Sequence, residues 1–367
     1  MQYVGERSAP HGEIPATGVL LSNLGTPDEP TPWALKRYLK EFLSDPRVIE
    51  LPRWKWWPIL NFIVLPRRAP KSAEAYEAIW TPQGSPLLNI GTRQRDKLEA
   101  ALRARFGSPL HVALGMRYGN PSLASALDEL MGKGCRRILL FPLYPQYAAA
   151  TTASTLDATA DALRRRRWVP ELRTIHSYHD DPLYIGALAR SVRDVWNRDG
   201  EPERLLLSFH GLPKRYFDAG DPYFCHCQKT SRLLAEELKL TPERWKLTFQ
   251  SRFGREEWLQ PYTDVTLAEW GAQGVKSVDV VCPGFSADCL ETLEEIDQQN
   301  RKLFTDAGGR RFRYLAALND RDDHIEALAS VAARNLAGWA VPADRWDETA
   351  ARAAAAASKR RADELGA

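Results

Sequence analysis

The sequence predicts an α/β fold built from two similar Rossmann-like domains with mainly parallel sheets. Three observations predict it. Short apolar runs end abruptly in Gly or Pro and are followed by helix-period patterns, which reads as strand, loop, helix. One strand-and-turn segment occurs twice along the chain, and two further strand ends repeat after it in the same order.

The first strand is Val19-Leu20-Leu21-Ser22-Asn23-Leu24-Gly25-Thr26-Pro27, and it reappears as Leu205-Leu206-Leu207-Ser208-Phe209-His210-Gly211-Leu212-Pro213. The shared Leu-Leu-Ser-x-x-Gly-x-Pro makes Leu24 and His210 counterparts. Next, 112–119 parallels 247–254 through Arg117-Tyr118-Gly119 and Arg252-Phe253-Gly254, and 138–142 parallels 279–283, each an apolar strand stopped by proline. Any one match is a common string; three in one order favour a duplication. The length of 367 residues also exceeds one comfortable α/β domain. The expected division is 17–170 for the first domain and 171–319 for the second, with 320–340 packing back on the first. The Ala-rich tail, 341–367, reads as a helix or a frayed end.

Near-continuous apolar strands separated by helices imply sheets covered on both faces. In open sheets of that kind, ligands bind beyond the carboxyl ends of the strands. His210 ends one such strand, and the acids after the strand Val278–Cys282 begin the next helix, so these groups should share one rim. With Ser286 as N-cap, Asp288, Glu291 and Glu295 fall at i, i+3 and i+7 on one helical face. Acids near a helix N-terminus complement its dipole, which accounts for Asp288 and in part for Glu291. Glu295 lies beyond that benefit, and like charges at i,i+4 cost roughly a few tenths of a kcal/mol. Cation handling and a solvated acidic face both fit the spacing. For His210, a hydrogen-bonded strand-end histidine competes with a base or metal ligand, and the rim position favours the latter.

Other segments say less. Cys225-His226-Cys227 lacks the spacing and second half of a zinc site and reads as a turn, and His176 and His179 read as surface or capping residues. Trp54, Trp56 and Trp57, flanked by Arg53, Lys55, Arg67 and Arg68, suit an interfacial segment, the apolar lip of a pocket, or a core-packed helical hairpin. A net charge of +3 from 50 basic and 47 acidic residues gives no polyelectrolyte character, so no nucleic-acid partner is expected. Five cysteines, no apolar leader and no run of 18 apolar residues lead us to expect a reduced, cytoplasmic setting without a spanning helix. Walker A, G-x-G-x-x-G and G-x-S-x-G motifs are missing.

The long run 207–223, with His210-Gly211-Leu212-Pro213 and Asp221-Pro222-Tyr223, together with 250–261 and 18–27, resembles the ferrochelatases, and the likeness extends from Gly18 to about Ala340. The resemblance implies a chelatase-like fold with a cleft between its two domains, and a metal chelatase that inserts Fe²⁺ into protoporphyrin IX to form protohaem, releasing two protons. It implies His210 and Glu291 as catalytic and metal-binding residues, and Asp288 and Glu295 as an acidic path. It further implies Leu24, Arg68, Ser85, Arg117 and Phe285 as porphyrin contacts, and Trp54, Trp56 and Trp57 as an entrance or membrane lip. Porphyrin and ferrous ion are then the partners, with peripheral contact at the inner face of the membrane. Both a monomer and a homodimer fit.

Two departures from the family pattern stand out. Cys289 occupies a position where some relatives carry a second histidine, and Ala149 one where some carry a cluster-ligating cysteine; the tail adds no cysteine. No iron–sulfur cluster and no permanently bound cofactor are expected. A chelatase for another divalent metal or porphyrin, and a non-catalytic tetrapyrrole or iron carrier, are the alternatives.

Overall fold

A computed structural model describes Tyr3 and residues 11–366. Among the described residues, eight strands form two four-stranded parallel sheets. The first contains β1 (Ala16–Thr26), β2 (Leu110–Gly119), β3 (Cys135–Pro142) and β4 (Glu171–Thr174) in the order β2-β1-β3-β4. The second contains β5 (Arg204–His210), β6 (Trp245–Gln250), β7 (Ser277–Val281) and β8 (Arg311–Leu315) in the order β6-β5-β7-β8. The identical strand order is the duplication seen in the sequence. Both faces are covered, so Val19, Leu20 and Leu21, like Leu205, Leu206 and Leu207, are buried on alternate sides. Each such side chain contributes about 1.5–3 kcal/mol of hydrophobic stabilisation.

The repeated glycine has a steric cause. A Cβ on Gly25 would lie 1.8 Å from the Tyr118 carbonyl oxygen, and one on Gly211 would lie 2.8 Å from that of Gln250. In each half the strand end runs against the backbone of its neighbour, and only glycine fits. The pairing registers differ, however. Val19 pairs with Val112, whereas the counterpart of Val112, Leu247, pairs with Leu207 rather than Leu205. The shift is two residues, an even number, so each side chain keeps its face.

The expected boundary at 170/171 moves. Residues Glu171–Thr174 form β4 and pair with β3 from Arg137↔Glu171 to Leu140↔Thr174, so the first domain runs past Thr174. The second begins with helix Pro182–Asp199, which Asp181 caps by accepting from the N–H groups of Leu183 and Tyr184 at 3.0 and 3.3 Å. Pro182 occupies the first turn, where its missing N–H costs nothing, and Gly200 at φ +78° ends the helix. Helix Asp322–Asn335 lies against helices Pro86–Arg105 and Pro182–Asp199, one from each half. The tail forms helix Glu348–Leu365, capped by Asp347.

Two local expectations change near the acidic segment. Ser286 caps no helix; its carbonyl and hydroxyl oxygens instead accept from Gln94 Nε2 at 2.9 and 3.1 Å, joining the halves. Helical backbone starts only at Leu290, and from Glu291 to Asn300 it is a π-helix with i→i+5 hydrogen bonds. Asp288 therefore precedes the helix and does not share a helical face with Glu291 and Glu295. Cys225-His226-Cys227 also lies in a helix, Tyr223–Glu237, not in a turn.

Candidate active site

The carboxyl ends of the strands open onto a cavity of about 720 Å³ lined by both halves. From the first half come Leu24, Tyr38, Arg68, Tyr76, Ser85 and Tyr144; from the second come His210, Ser251, Phe285, Cys289 and Glu291. His210 ends β5, paired in register with Gln250. Its Nδ1 lies 2.7 Å from the Gly211 carbonyl oxygen. A carbonyl only accepts, so Nδ1 carries the proton and Nε2 is left as the acceptor.

Glu291 opens the π-helix two residues after Cys289, whose thiol pKa is pushed well up by burial and then by the Glu291 charge. Burial likewise raises the pKa values of Tyr38, Tyr76 and Tyr144, with Glu291 adding to each. The carboxylate thus faces neutral thiol and phenol groups from both halves. Glu295 lies just behind the cavity wall. Burial raises its pKa, while hydrogen bonds from Ser251 and the nearby His210 oppose the rise.

Asp288 is buried away from the cavity lining. Its carboxylate accepts from the Tyr314 hydroxyl (2.6 Å), Asn319 Nδ2 (2.7 Å), Thr292 Oγ1 (3.1 Å) and the Ala317 N–H (3.2 Å). With its lone pairs committed in this way, it braces the turn before the π-helix and does not extend a path of acids from Glu291. Arg68 is half-buried with its guanidinium 4.5 Å above the Phe253 ring, and burial lowers its pKa. Ser85, at the start of helix Pro86–Arg105 without a side-chain capping bond, is buried and lines the cavity.

Comparison with known proteins identifies the family. The ferrochelatase family model matches residues 16–336. The chain belongs to the ferrochelatase family. The ferrochelatase of Thioalkalivibrio sulfidiphilus is 53% identical over 367 residues, 100% of both chains. That of Hydrogenovibrio crunogenus is 55% identical over 343 residues, 92% of this chain and 91% of its own. Among solved structures, SirB from Bacillus subtilis with Fe³⁺ matches with a TM-score of 0.51 at 14% identity, covering 70% of this chain and 95% of SirB. At that identity the likeness speaks for the fold alone.

The ferrochelatase-family cleft departs from the sequence expectation at Arg117. That side chain lies outside the cavity lining, ion-paired with the buried Asp45 and donating to Ser154 Oγ at 2.6 Å and to the Ser154 carbonyl at 3.0 Å. Its Nε and Nη2 donors are thus engaged within the first half by Ser154 and Asp45. The tryptophans divide: Trp56 lines the cavity and donates to the Leu43 carbonyl at 2.6 Å, whereas Trp54 and Trp57 are 75% and 57% exposed. His176 stacks on Tyr147, and the buried His179 stacks on His226. Among the described residues, no group of three or more His, Cys, Asp or Glu side chains is placed to hold a metal ion.

Sequence reasoning gave no role to Gln250 and Ser251 or to the tyrosines. Gln250 Nε2 donates to the Glu291 carbonyl at 2.9 Å, tying the π-helix to the strand that pairs with His210. For Gln250 the signal was available, because it ends the strand next to the His210 strand. The tyrosines Tyr38, Tyr76 and Tyr144 carried no local pattern that marked them.

Proposed function

We propose that this cleft inserts Fe²⁺ into protoporphyrin IX, releasing two protons in the last step of haem synthesis, with His210 as the base and Glu291 as its partner. The observation that carries the reading is the His210 imidazole, held by the Gly211 carbonyl so that Nε2 is free, in an apolar-walled cavity it shares with Glu291. Leu24, Tyr76 and Phe285 supply the walls against which a flat macrocycle binds and bends, exposing its nitrogen lone pairs. Ferrous ion, as substrate, meets Nε2 and the Glu291 carboxylate, with its remaining positions left to water and the incoming ring nitrogens. As those nitrogens take over the ion, the released Nε2 lone pair accepts a pyrrole proton. Glu291 and then Glu295 lie behind it for onward transfer. Arg68 and Ser85 suit the carboxylate arms of the substrate.

The reading requires no resident cofactor. It includes peripheral contact with a membrane surface. Among the described residues no helix is long and apolar enough to cross a membrane, but Trp54, Trp57 and the 70% exposed Phe62 flank or follow the cavity-lining Trp56 in sequence, among the exposed Arg53, Lys55 and Arg67.

Insertion rates for Fe²⁺, Co²⁺ and Zn²⁺ with protoporphyrin and coproporphyrin test the assignment directly. Fe²⁺ insertion into protoporphyrin is expected, falling at least 100-fold in His210→Ala with porphyrin binding kept. Binding without insertion by the wild type would instead mark a carrier.

A further inference from the structure

We propose that Ser251 is a positioning residue for metal insertion, its backbone N–H and hydroxyl clamping the Glu295 carboxylate in the wall between the cleft and a second cavity open to solvent. The inference rests on the function proposed above.

Ser251 is the first residue after β6 and takes a φ of +63°, a left-handed conformation that costs any residue but glycine. That conformation lets one residue hold both oxygens of one carboxylate. The Ser251 N–H donates to Glu295 Oε1 at 2.8 Å, and its hydroxyl donates to Oε2 at 2.5 Å. Gln250 Nε2 approaches the same Oε2 at 3.4 Å. Glu295 is thereby fixed although a glutamate has three rotatable side-chain bonds.

Ser251 lines the main cavity and also a second one of about 270 Å³, whose wall includes Glu295, Gln299, Asn300 and Asp264. A macrocycle filling the first cavity blocks its own mouth to ions and water, so exchange during the reaction needs another side. A fixed carboxylate between the two spaces meets that need, whereas a free one would turn outward into the polar second cavity. Ser251 itself touches no reacting atom; it acts through Glu295.

Ser251→Gly tests the assignment, because glycine accepts the positive φ and keeps the N–H while removing the hydroxyl; Ser251→Ala serves as a second variant. The expected result is a roughly tenfold higher KM for Fe²⁺, with the KM for porphyrin and the melting temperature unchanged. In the double variant with Glu295→Gln, Ser251→Gly should add nothing further. An unchanged KM for Fe²⁺, or equal rises in both KM values, would overturn the assignment. Failure of the wild type to insert any metal would refute the proposed function itself, whereas normal wild-type insertion with an unaffected Ser251→Gly refutes only the role of Ser251.

Discussion

Replacing Arg68 by alanine should weaken porphyrin binding without harming the fold. In the free protein the guanidinium is half-buried over Phe253, burial lowers its pKa, and no carboxylate among the described residues lies against it. Such a cation carries a desolvation cost that only the Phe253 ring offsets in part. A substrate carboxylate would supply the missing partner, and one charge-assisted hydrogen-bonded contact is worth about 1.5–3 kcal/mol. At about 1.4 kcal/mol per factor of ten, Arg68→Ala should raise the KM for protoporphyrin roughly 10- to 150-fold. The turnover number should stay within a few-fold and the melting temperature should hold or rise slightly. Steady-state kinetics, followed by loss of porphyrin fluorescence, measure this with protoporphyrin and with its dimethyl ester. The ester lacks the charges, so its KM should not respond. A protoporphyrin KM that stays put, or an ester KM that moves equally, would refute the assignment of Arg68 to the carboxylate arms.

Asp288→Ala should cost about 3 kcal/mol of stability or more, since it strands four donors, the buried Thr292 hydroxyl and Ala317 N–H and the part-buried Tyr314 hydroxyl and Asn319 amide; an unaltered urea midpoint would contradict the bracing role. Stability should also depend on pH through His324, which is wholly buried, donates Nδ1–H to the Asn319 carbonyl at 2.7 Å, and has its pKa pulled down to about 4 by burial. The unfolded chain, titrating near the usual value of about 6.5, binds that proton more readily. Stability is therefore full above about pH 6.5 and falls by about 3 kcal/mol as pH drops towards 4. His179, lowered to about 4 by burial and then by His226, acts in the same direction. Urea titrations of wild type and His324→Asn should differ in slope across this window, and identical slopes would rule the mechanism out. Finally, replacing Trp54, Trp57 and Phe62 by serine should reduce co-sedimentation with anionic vesicles several-fold, and undiminished binding would remove them from the membrane-facing surface.

The sequence made the sheets legible because their constraints are local. Gly25 and Gly211 are required by the adjacent strand's backbone, and the apolar runs before them are those buried on both faces. The rim position of His210 followed from the end of its strand. Asp288 and Arg117 were not legible, because their destinations depend on distant partners. Asp288 is claimed by Tyr314 and Asn319, about thirty residues downstream, and Arg117 by Asp45, 72 residues upstream. Nor does a spacing argument at 3.6 residues per turn anticipate a helix that begins at Leu290 and then winds more widely. Ser251 was hidden for a third reason. Its importance lies in a backbone angle, which no residue type other than glycine advertises.

The two-residue offset between the sheets bears on how a doubled chain can specialise. Sliding a strand by an even step keeps core residues in the core, so natural selection can explore it without refolding the layer; an odd step would turn Phe249 and its neighbours inside out. The offset leaves the two copies with unequal reach. The β1–β2 ladder continues to Thr26↔Gly119, whereas the β5–β6 ladder stops at His210↔Gln250 and frees the chain beyond it to turn away. From one inherited strand end the protein has made a long, sealed edge that carries Leu24 and a short, open one that presents His210. The division of labour between the copies is therefore written in hydrogen-bond pairing as well as in the exchange of leucine for histidine.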